Sequence, residues 1–189
     1  AKDFLDTVYD AAEANTVSTS IIPYATQVNA GETLLSYWNR DDSHEYSHCL
    51  NFSTSDFNNA AMPTTTTYEQ TVDFDPWTDE NDSFDLGDTI PSPVCASDAD
   101  KDGDQDREII AWSTNKSALK TYVDGLVATG NTSTDIGTKW GAALLDPDSQ
   151  SIVTSMIGAG DVDATMAGRP FNYNDSDAMK ILVVMTDGA

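Results

Sequence analysis

Two segments of the chain carry oxygen side chains where a loop is expected to meet a helix or a strand. Residues 130–137 hold three consecutive hydroxyl side chains before a predicted helix, and residues 181–188 hold an apolar run that leads into Asp187 and Gly188. Hydroxyl and carboxylate oxygens are hard donors that suit Mg²⁺, Mn²⁺ or Ca²⁺. The two segments together therefore predict a site for a divalent cation.

A second candidate metal site lies in an acidic stretch. Gly103 occupies the sharp-turn position of an EF-hand-like calcium loop, but Ile109 stands where such a loop has a bidentate glutamate, and Pro91 and Pro93 leave no entering helix. The pattern is closer to a helix-less calcium loop, and a solvated acidic turn stays open as the alternative. The candidate calcium ligands are Asp98, Asp100, Asp102, Asp104 and Asp106.

The only two histidines of the chain stand in an HExxH pattern formed by His44, Glu45 and His48. On a helix this pattern holds zinc and supplies the general base of a metallohydrolase. The flanking residues show no amphipathic helical period, and a third ligand would have to be a carboxylate such as Glu69. We therefore favour surface-loop histidines and keep a zinc hydrolase as an alternative function.

Cys49 and Cys95 are the only cysteines, and neither belongs to a CxxC pair. Their isolation predicts one disulfide, which would close most of the polar middle of the chain and would indicate an oxidising compartment such as the periplasm or the cell surface. Two unrelated buried thiols are the alternative.

Helical and strand patterns alternate along the chain, which is typical of an α/β domain. Helices are expected within residues 1–14, after the capping residues Ser113-Thr114-Asn115 with Gly130 as a C-terminal cap, over 136–146 with Trp140 in the core, and over 151–157. Strands are expected over 16–24, 108–112 and 181–185, the last buried on both faces as parallel strands are. Residues 39–107 lack these periods, so the predicted organisation is a domain formed by residues 1–38 and 108–189, with residues 39–107 as a long, irregular acidic insertion.

Charge restricts the classes of partner. The 189 residues include 9 Lys and Arg against 32 Asp and Glu, a formal net charge of −23 at pH 7. Such a surface repels nucleic acids and anionic lipids and suits cations, basic partners or a saline medium. Because no run reaches the ~18 apolar residues that span a bilayer, a membrane anchor would have to lie outside this chain.

The two oxygen-bearing segments resemble the von Willebrand factor A (VWA) family, whose metal-ion-dependent adhesion site combines an Asp-x-Ser-x-Ser strand end, a Thr loop and a later Asp. The resemblance implies that Thr132 is the direct metal ligand, with Thr134 as the competing register, and that Asp187 contacts the ion directly or through water. It also implies a three-layer, Rossmann-like α/β fold with a mainly parallel sheet and flanking helices. The Asp-x-Ser-x-Ser element is missing, from which we expect a chain truncated at both ends.

Several further stretches are similar to TadG-like proteins of tight-adherence pilus assembly. They include Ser20-Ile21-Ile22-Pro23-Tyr24, His48-Cys49-Leu50-Asn51-Phe52, Lys139-Trp140-Gly141 with Leu144-Leu145-Asp146-Pro147, and Gly168-Arg169-Pro170. This resemblance implies a bacterial, extracytoplasmic binding module that is not an enzyme. It also implies a membrane-anchored parent, a protein partner among pilus or envelope components, and Mg²⁺ or Mn²⁺ at the adhesion-type site. A purely structural domain stabilised by calcium in the insertion is a further alternative.

Overall fold

The computed structural model describes residues 1–45, 48–71, 95, 107–126 and 132–186. The α-helices in this part of the chain are α1 (Lys2–Ala11), α2 (Glu32–Leu35), α3 (Lys116–Gly125), α4 (Thr134–Leu145) and α5 (Gln150–Ala159). The strands are β1 (Thr19–Ile21), β2 (Leu50–Asn51), β3 (Glu69–Gln70) and β4 (Ile110–Ser113). Single turns of 3₁₀-helix occur at Asp56–Asn58, Pro147–Ser149 and Ala164–Met166.

The expected mainly parallel, three-layer sheet is wrong. The described strands form two separate antiparallel pairs, β1 with β4 and β2 with β3. Thr19 lies opposite Ser113 and Ile21 opposite Ile110, with an irregular register between them. The predicted strand over residues 16–24 is thus only three residues long, because its one partner among the described residues, β4, is itself short.

The run over residues 181–185 was expected to be a buried strand, and this prediction is also wrong. The backbone there has no regular secondary structure, and its five apolar side chains are between 41% and 58% exposed. A strand is held by hydrogen bonds to a neighbouring strand, and no described strand pairs with this run. Apolar composition predicted burial on both faces, but these side chains are only partly covered in the described part of the chain.

The predicted helices are present, with shifted ends. Asn115 begins α3, where its side chain accepts a 3.0 Å hydrogen bond from the backbone N–H of Ala118. This helix ends at Gly125, before the cap expected at Gly130, which lies outside the described residues. Helix α5 ends at Ala159 and is capped by Gly160, whose φ of 90° is the left-handed conformation that glycine adopts without strain.

An aromatic core joins α4 to the middle of the chain. Trp140 is fully buried, as predicted, and meets Trp38 edge-on with ring centroids 5.5 Å apart and Phe52 at 6.2 Å. The indole N–H groups of Trp38 and Trp112 donate to the carbonyls of Met62 and Leu144. Residues of the acidic middle region thus pack into the same core as the helices, and they position the loop that faces α4.

Helices α1 and α3 are joined by charged side chains. Lys116 pairs with Asp6 at 3.4 Å and with Asp10 at 2.5 Å, and Lys120 pairs with Asp6 at 2.6 Å. The hydrogen bond from Lys120 lowers the pKa of Asp6 below its usual value. These exposed pairs align the two helices, and each contributes little to stability because water screens it.

Candidate functional site

The loop before α4 is fastened to the segment that follows β1. The backbone N–H of Ser133 donates to the carbonyl of Ala25 at 2.7 Å, and its hydroxyl donates to the carbonyl of Thr26 at 2.9 Å. The hydroxyl of Ser133 is therefore committed to the body of the protein. The neighbouring hydroxyls of Thr132 and Thr134 are the candidate ligands in this loop.

The structure places the two threonines differently. Thr132 is exposed in the loop, whereas Thr134 is the first residue of α4. Asp135 follows in the first turn of the helix, where its carboxylate accepts a 2.9 Å hydrogen bond from the N–H of Ile136. Hydroxyl and carboxylate oxygens thus gather at this end of α4.

Tyr24 connects the beginning of α4 to residues 181–186. Its hydroxyl donates to the carbonyl of Met185 at 2.6 Å. Its ring packs so closely on Gly137 that a Cβ atom added to this glycine would lie 2.8 Å from the ring's Cδ1. Tyr24 therefore holds the C-terminal run against the first turns of α4.

Residues 180–186 run along α4 in the opposite direction to the helix. Lys180 donates through Nζ to the carbonyl of Leu145 at 2.7 Å, at the end of α4. Further along the run, Leu182 lies beside Gly141, where an added Cβ would be 2.5 Å from Leu182 Cδ1. With Met185 held by Tyr24, three contacts direct the chain towards the beginning of the helix.

The two oxygen-bearing segments therefore attach to neighbouring residues of one short segment. Ser133 donates to the carbonyls of Ala25 and Thr26, and the carbonyl of Met185 accepts from the hydroxyl of Tyr24. Asp187, the predicted acidic ligand, lies outside the described residues. The contacts of Ser133 and Tyr24 bring the loop that holds Thr132 and Thr134 towards the end of the run that leads into Asp187.

The candidate ligands in the Thr loop have the type of oxygen that a hard cation prefers, but they supply no negative charge to balance it. Thr132 and Thr134 offer neutral oxygens, which suit Mg²⁺ or Mn²⁺. Within the described ranges, no cluster of three or more His, Cys, Asp or Glu side chains is arranged to hold a metal ion. Negative charge would have to come from Asp187 and from a bound carboxylate.

The HExxH residues do not lie on a described helix. His44 and Glu45 are in irregular backbone, and His48 immediately precedes the residues that lead into β2. The ring nitrogen Nε2 of His44 is 2.9 Å from the carbonyl of Thr71, and His48 is buried. Because the zinc motif needs two histidines one helical turn apart, this geometry argues against a zinc centre, and it also corrects the expectation of surface histidines.

The predicted disulfide is present, whereas the acidic loop lies outside the described residues. Cys49 and Cys95 are bonded, with their Cα atoms 5.7 Å apart and both side chains buried. The calcium-ligand candidates from Asp98 to Asp106 follow Cys95 directly in sequence. The bridge thus ties the start of the acidic stretch to β2.

Lys139 is a residue that the sequence analysis missed. Its ammonium group is buried against the loop after Asp56–Asn58, where Nζ donates to the carbonyls of Asn59, Ala60 and Ala61 at 2.7, 3.3 and 2.9 Å. Burial lowers its pKa, and Asp56 and Asp146 oppose that shift. The available signal was a lysine directly before a core tryptophan in a helix, where a charged side chain needs a buried partner.

Comparisons with known proteins identify no relative. No protein-family model, no curated protein and no solved structure matches this chain. Among the described residues, no helix combines the length and apolarity needed to cross a membrane. The functional assignment therefore depends on the residues and their geometry.

Proposed function

We propose that this chain is an extracytoplasmic, metal-dependent protein-binding module of a bacterial pilus-assembly or surface-adhesion protein, and that it is not an enzyme. Thr132, or Thr134 in the competing register, supplies a hydroxyl ligand to Mg²⁺ or Mn²⁺, and Asp187 supplies the carboxylate. The observation that carries the proposal is the attachment of both Ser133 and Met185 to the stretch from Tyr24 to Thr26.

The chemistry of these ligands favours binding over catalysis. One neutral hydroxyl and one carboxylate leave a divalent ion with uncompensated positive charge. Such an ion takes a further anionic oxygen ligand, which a carboxylate of a partner protein supplies. The resemblance of the Thr loop and the Thr-Asp-Gly turn to the adhesion-type site supports the same assignment.

The extracytoplasmic part of the proposal is supported by the disulfide. A bridge between Cys49 and Cys95 persists in an oxidising compartment and is rare in a reducing cytosol. The similarity to TadG-like proteins favours pilus or envelope components as partners.

Calorimetric titration of the whole chain with MgCl₂ and MnCl₂ tests the metal site. We expect Asp187→Ala to abolish measurable binding. The threonine that is a direct ligand, Thr132 or Thr134, should lose at least about tenfold in affinity when changed to alanine. Thr154→Ala removes an equivalent hydroxyl from an exposed turn of α5 and serves as the matched control.

The same preparation tests the binding role. With Mg²⁺ bound, N-acetyl-aspartate amide should bind, and N-acetyl-asparagine amide should not. Unchanged Mg²⁺ affinity in Asp187→Ala would refute the metal site. Bound zinc together with a hydrolytic activity lost in Glu45→Ala would instead establish the hydrolase alternative.

A further inference from the structure

A groove runs between residues 57–60 and the first three turns of α4. Its volume is about 560 Å³, and its walls include Phe57 and Ala60 on one side and Thr134, Asp135 and Ala142 on the other. Thr134 is also a candidate metal ligand, so the groove begins at the proposed metal site. A partner that reaches the metal ion would meet this groove next.

We propose that this groove receives an arginine side chain of the protein partner, beside the carboxylate that binds the metal ion. The inference rests on the proposed function, because it describes a second contact made by the same partner. It makes partner selection depend on an acidic and a basic side chain presented together.

Electrostatics favours a cation in the groove. Lys139 lies at its base, but this residue is only 4% exposed and its ammonium group donates to three backbone carbonyls. The carboxylate of Asp135 is exposed on the groove wall, and Asp56 lies close enough to act on Lys139. With a net charge of −23 over the whole chain, the surroundings attract a positive group and repel an acidic one.

The apolar walls favour arginine among the basic side chains. Phe57 is 40% exposed, and its ring is held edge-on against Phe52 with centroids 5.9 Å apart. A guanidinium group stacks on aromatic rings and is less strongly hydrated than an ammonium group. The methylene stem of arginine would pack on Ala60 and Ala142 while its head remains near Asp135.

The test uses the whole chain in EDTA, so that metal binding plays no part. N-acetyl-arginine amide is titrated while backbone NMR shifts are followed, with N-acetyl-norleucine amide and N-acetyl-glutamate amide as probes of apolar and acidic character. We expect the arginine probe alone to shift the signals of residues 57–60 and 134–142. Equal shifts with the norleucine probe, or shifts confined to other residues, would overturn the proposal.

Variants give a second, independent outcome. Ala142→Leu places a bulkier side chain on the groove wall and should weaken the arginine probe by about tenfold, the loss that corresponds to ~1.4 kcal/mol. Ala159→Leu makes the same change on exposed α5 and should have no effect. Phe57→Ala should weaken the probe about threefold through loss of the ring. Unchanged affinity in both Ala142→Leu and Phe57→Ala would refute the groove.

The two proposals fail separately. Asp187→Ala should abolish Mg²⁺ binding and leave the arginine probe unaffected. Binding of arginine without any Mg²⁺ site would refute the metal-dependent function and preserve the groove. Binding of Mg²⁺ with no response to arginine would refute the groove alone.

Discussion

The hydroxyl of Tyr24 donates a 2.6 Å hydrogen bond to the backbone carbonyl of Met185, two residues before Asp187. A side chain that follows β1 thereby fixes the position of a segment that begins at the far end of α4. Among the described residues, this is the contact that brings the C-terminal run to the Thr loop.

Removal of this hydroxyl should weaken metal binding without unfolding the chain. Tyr24→Phe retains the ring on Gly137 and loses one hydrogen bond, so we expect a loss of about 1 kcal/mol in unfolding free energy. The affinity for Mg²⁺ should fall as well, because Asp187 is less well positioned. Denaturant titration and calorimetry measure the two effects.

Tyr9→Phe is the matched control for that change. The hydroxyl of Tyr9 donates a 2.9 Å hydrogen bond to the carbonyl of Ser113, in the contact between α1 and β4. This variant should lose similar stability and keep the wild-type Mg²⁺ affinity. Equal Mg²⁺ affinities in the two variants would show that Tyr24 has no role in the site.

Two glycines of α4 should differ in their response to alanine. At Gly137 the new Cβ would meet the base of the Tyr24 ring at 2.8–3.1 Å, and a ring cannot yield easily, so we expect a loss of about 1–3 kcal/mol. At Gly141 it would meet only the end of the Leu182 side chain, at 2.5 Å. Rotation of that side chain should leave Gly141→Ala within about 1 kcal/mol of the wild type, since alanine favours the helix.

The double variant Gly141→Ala, Leu182→Ala tests the position of the C-terminal run. If Leu182 lies against α4, its truncation should make Gly141→Ala stabilising by up to about 1 kcal/mol, measured as a double-mutant cycle. Additive free energies would mean that the run does not pack on this helix.

Lys139 should be important for stability. Lys139→Met removes three hydrogen bonds and leaves the carbonyls of Asn59, Ala60 and Ala61 without this donor, at a cost of about 3 kcal/mol. Lys120→Met removes an exposed pair with Asp6 and should cost less than about 1 kcal/mol. Thermal melts of the two variants compare them directly, and equal losses would contradict the structure.

Tyr173 should titrate at unusually high pH. Desolvation of its hydroxyl raises the pKa of Tyr173 to about 12, with a further contribution from the 2.7 Å hydrogen bond to the carboxylate of Asp146. Because the folded value exceeds the ordinary value of about 10, the contribution to stability is complete below pH ~10 and is lost as the pH rises to ~12. Ultraviolet tyrosinate difference spectra of wild type and Tyr173→Phe measure this pKa. Asp146→Asn should lower it, and an ordinary value in the wild type would contradict the contact.

Salt should stabilise the fold. Repulsion within a chain of net charge −23 opposes compactness, and raising NaCl from about 0.1 M to about 1 M shortens the screening length from ~10 Å to ~3 Å. The melting temperature should rise by roughly 2–4 °C for each kcal/mol of repulsion removed. The effect should shrink near pH 4, close to the isoelectric point of about 4.1. A fall in melting temperature with salt at pH 7 would indicate that the α1–α3 ion pairs dominate.

The sequence predicted the features that depend on local information. The apolar period over α3, the capping side chain of Asn115 and the core position of Trp140 are properties of a helix and its immediate surroundings, and all three are confirmed. The disulfide was predictable because only one pairing of two cysteines exists.

The remaining features depend on neighbours that are distant in sequence. Residues 181–185 have the composition of a buried strand, but strand formation requires a hydrogen-bonding partner, which composition does not specify. Tyr24 and Met185, which are in contact, lie 161 positions apart in the sequence. Lys139 lies about 80 positions from the carbonyls that bury its ammonium group. Neither contact leaves a periodic pattern in the sequence. The metal site was predicted only as a set of residue types, of which Asp187 lies outside the described residues.

The exposed apolar run gives the large negative charge a protective role. Five consecutive apolar side chains between Lys180 and Thr186 would associate with the same segment of another molecule if two copies approached closely. At low ionic strength, mutual repulsion keeps the copies apart. The salt concentrations that give a single molecule its highest melting temperature should therefore be those at which concentrated solutions aggregate first.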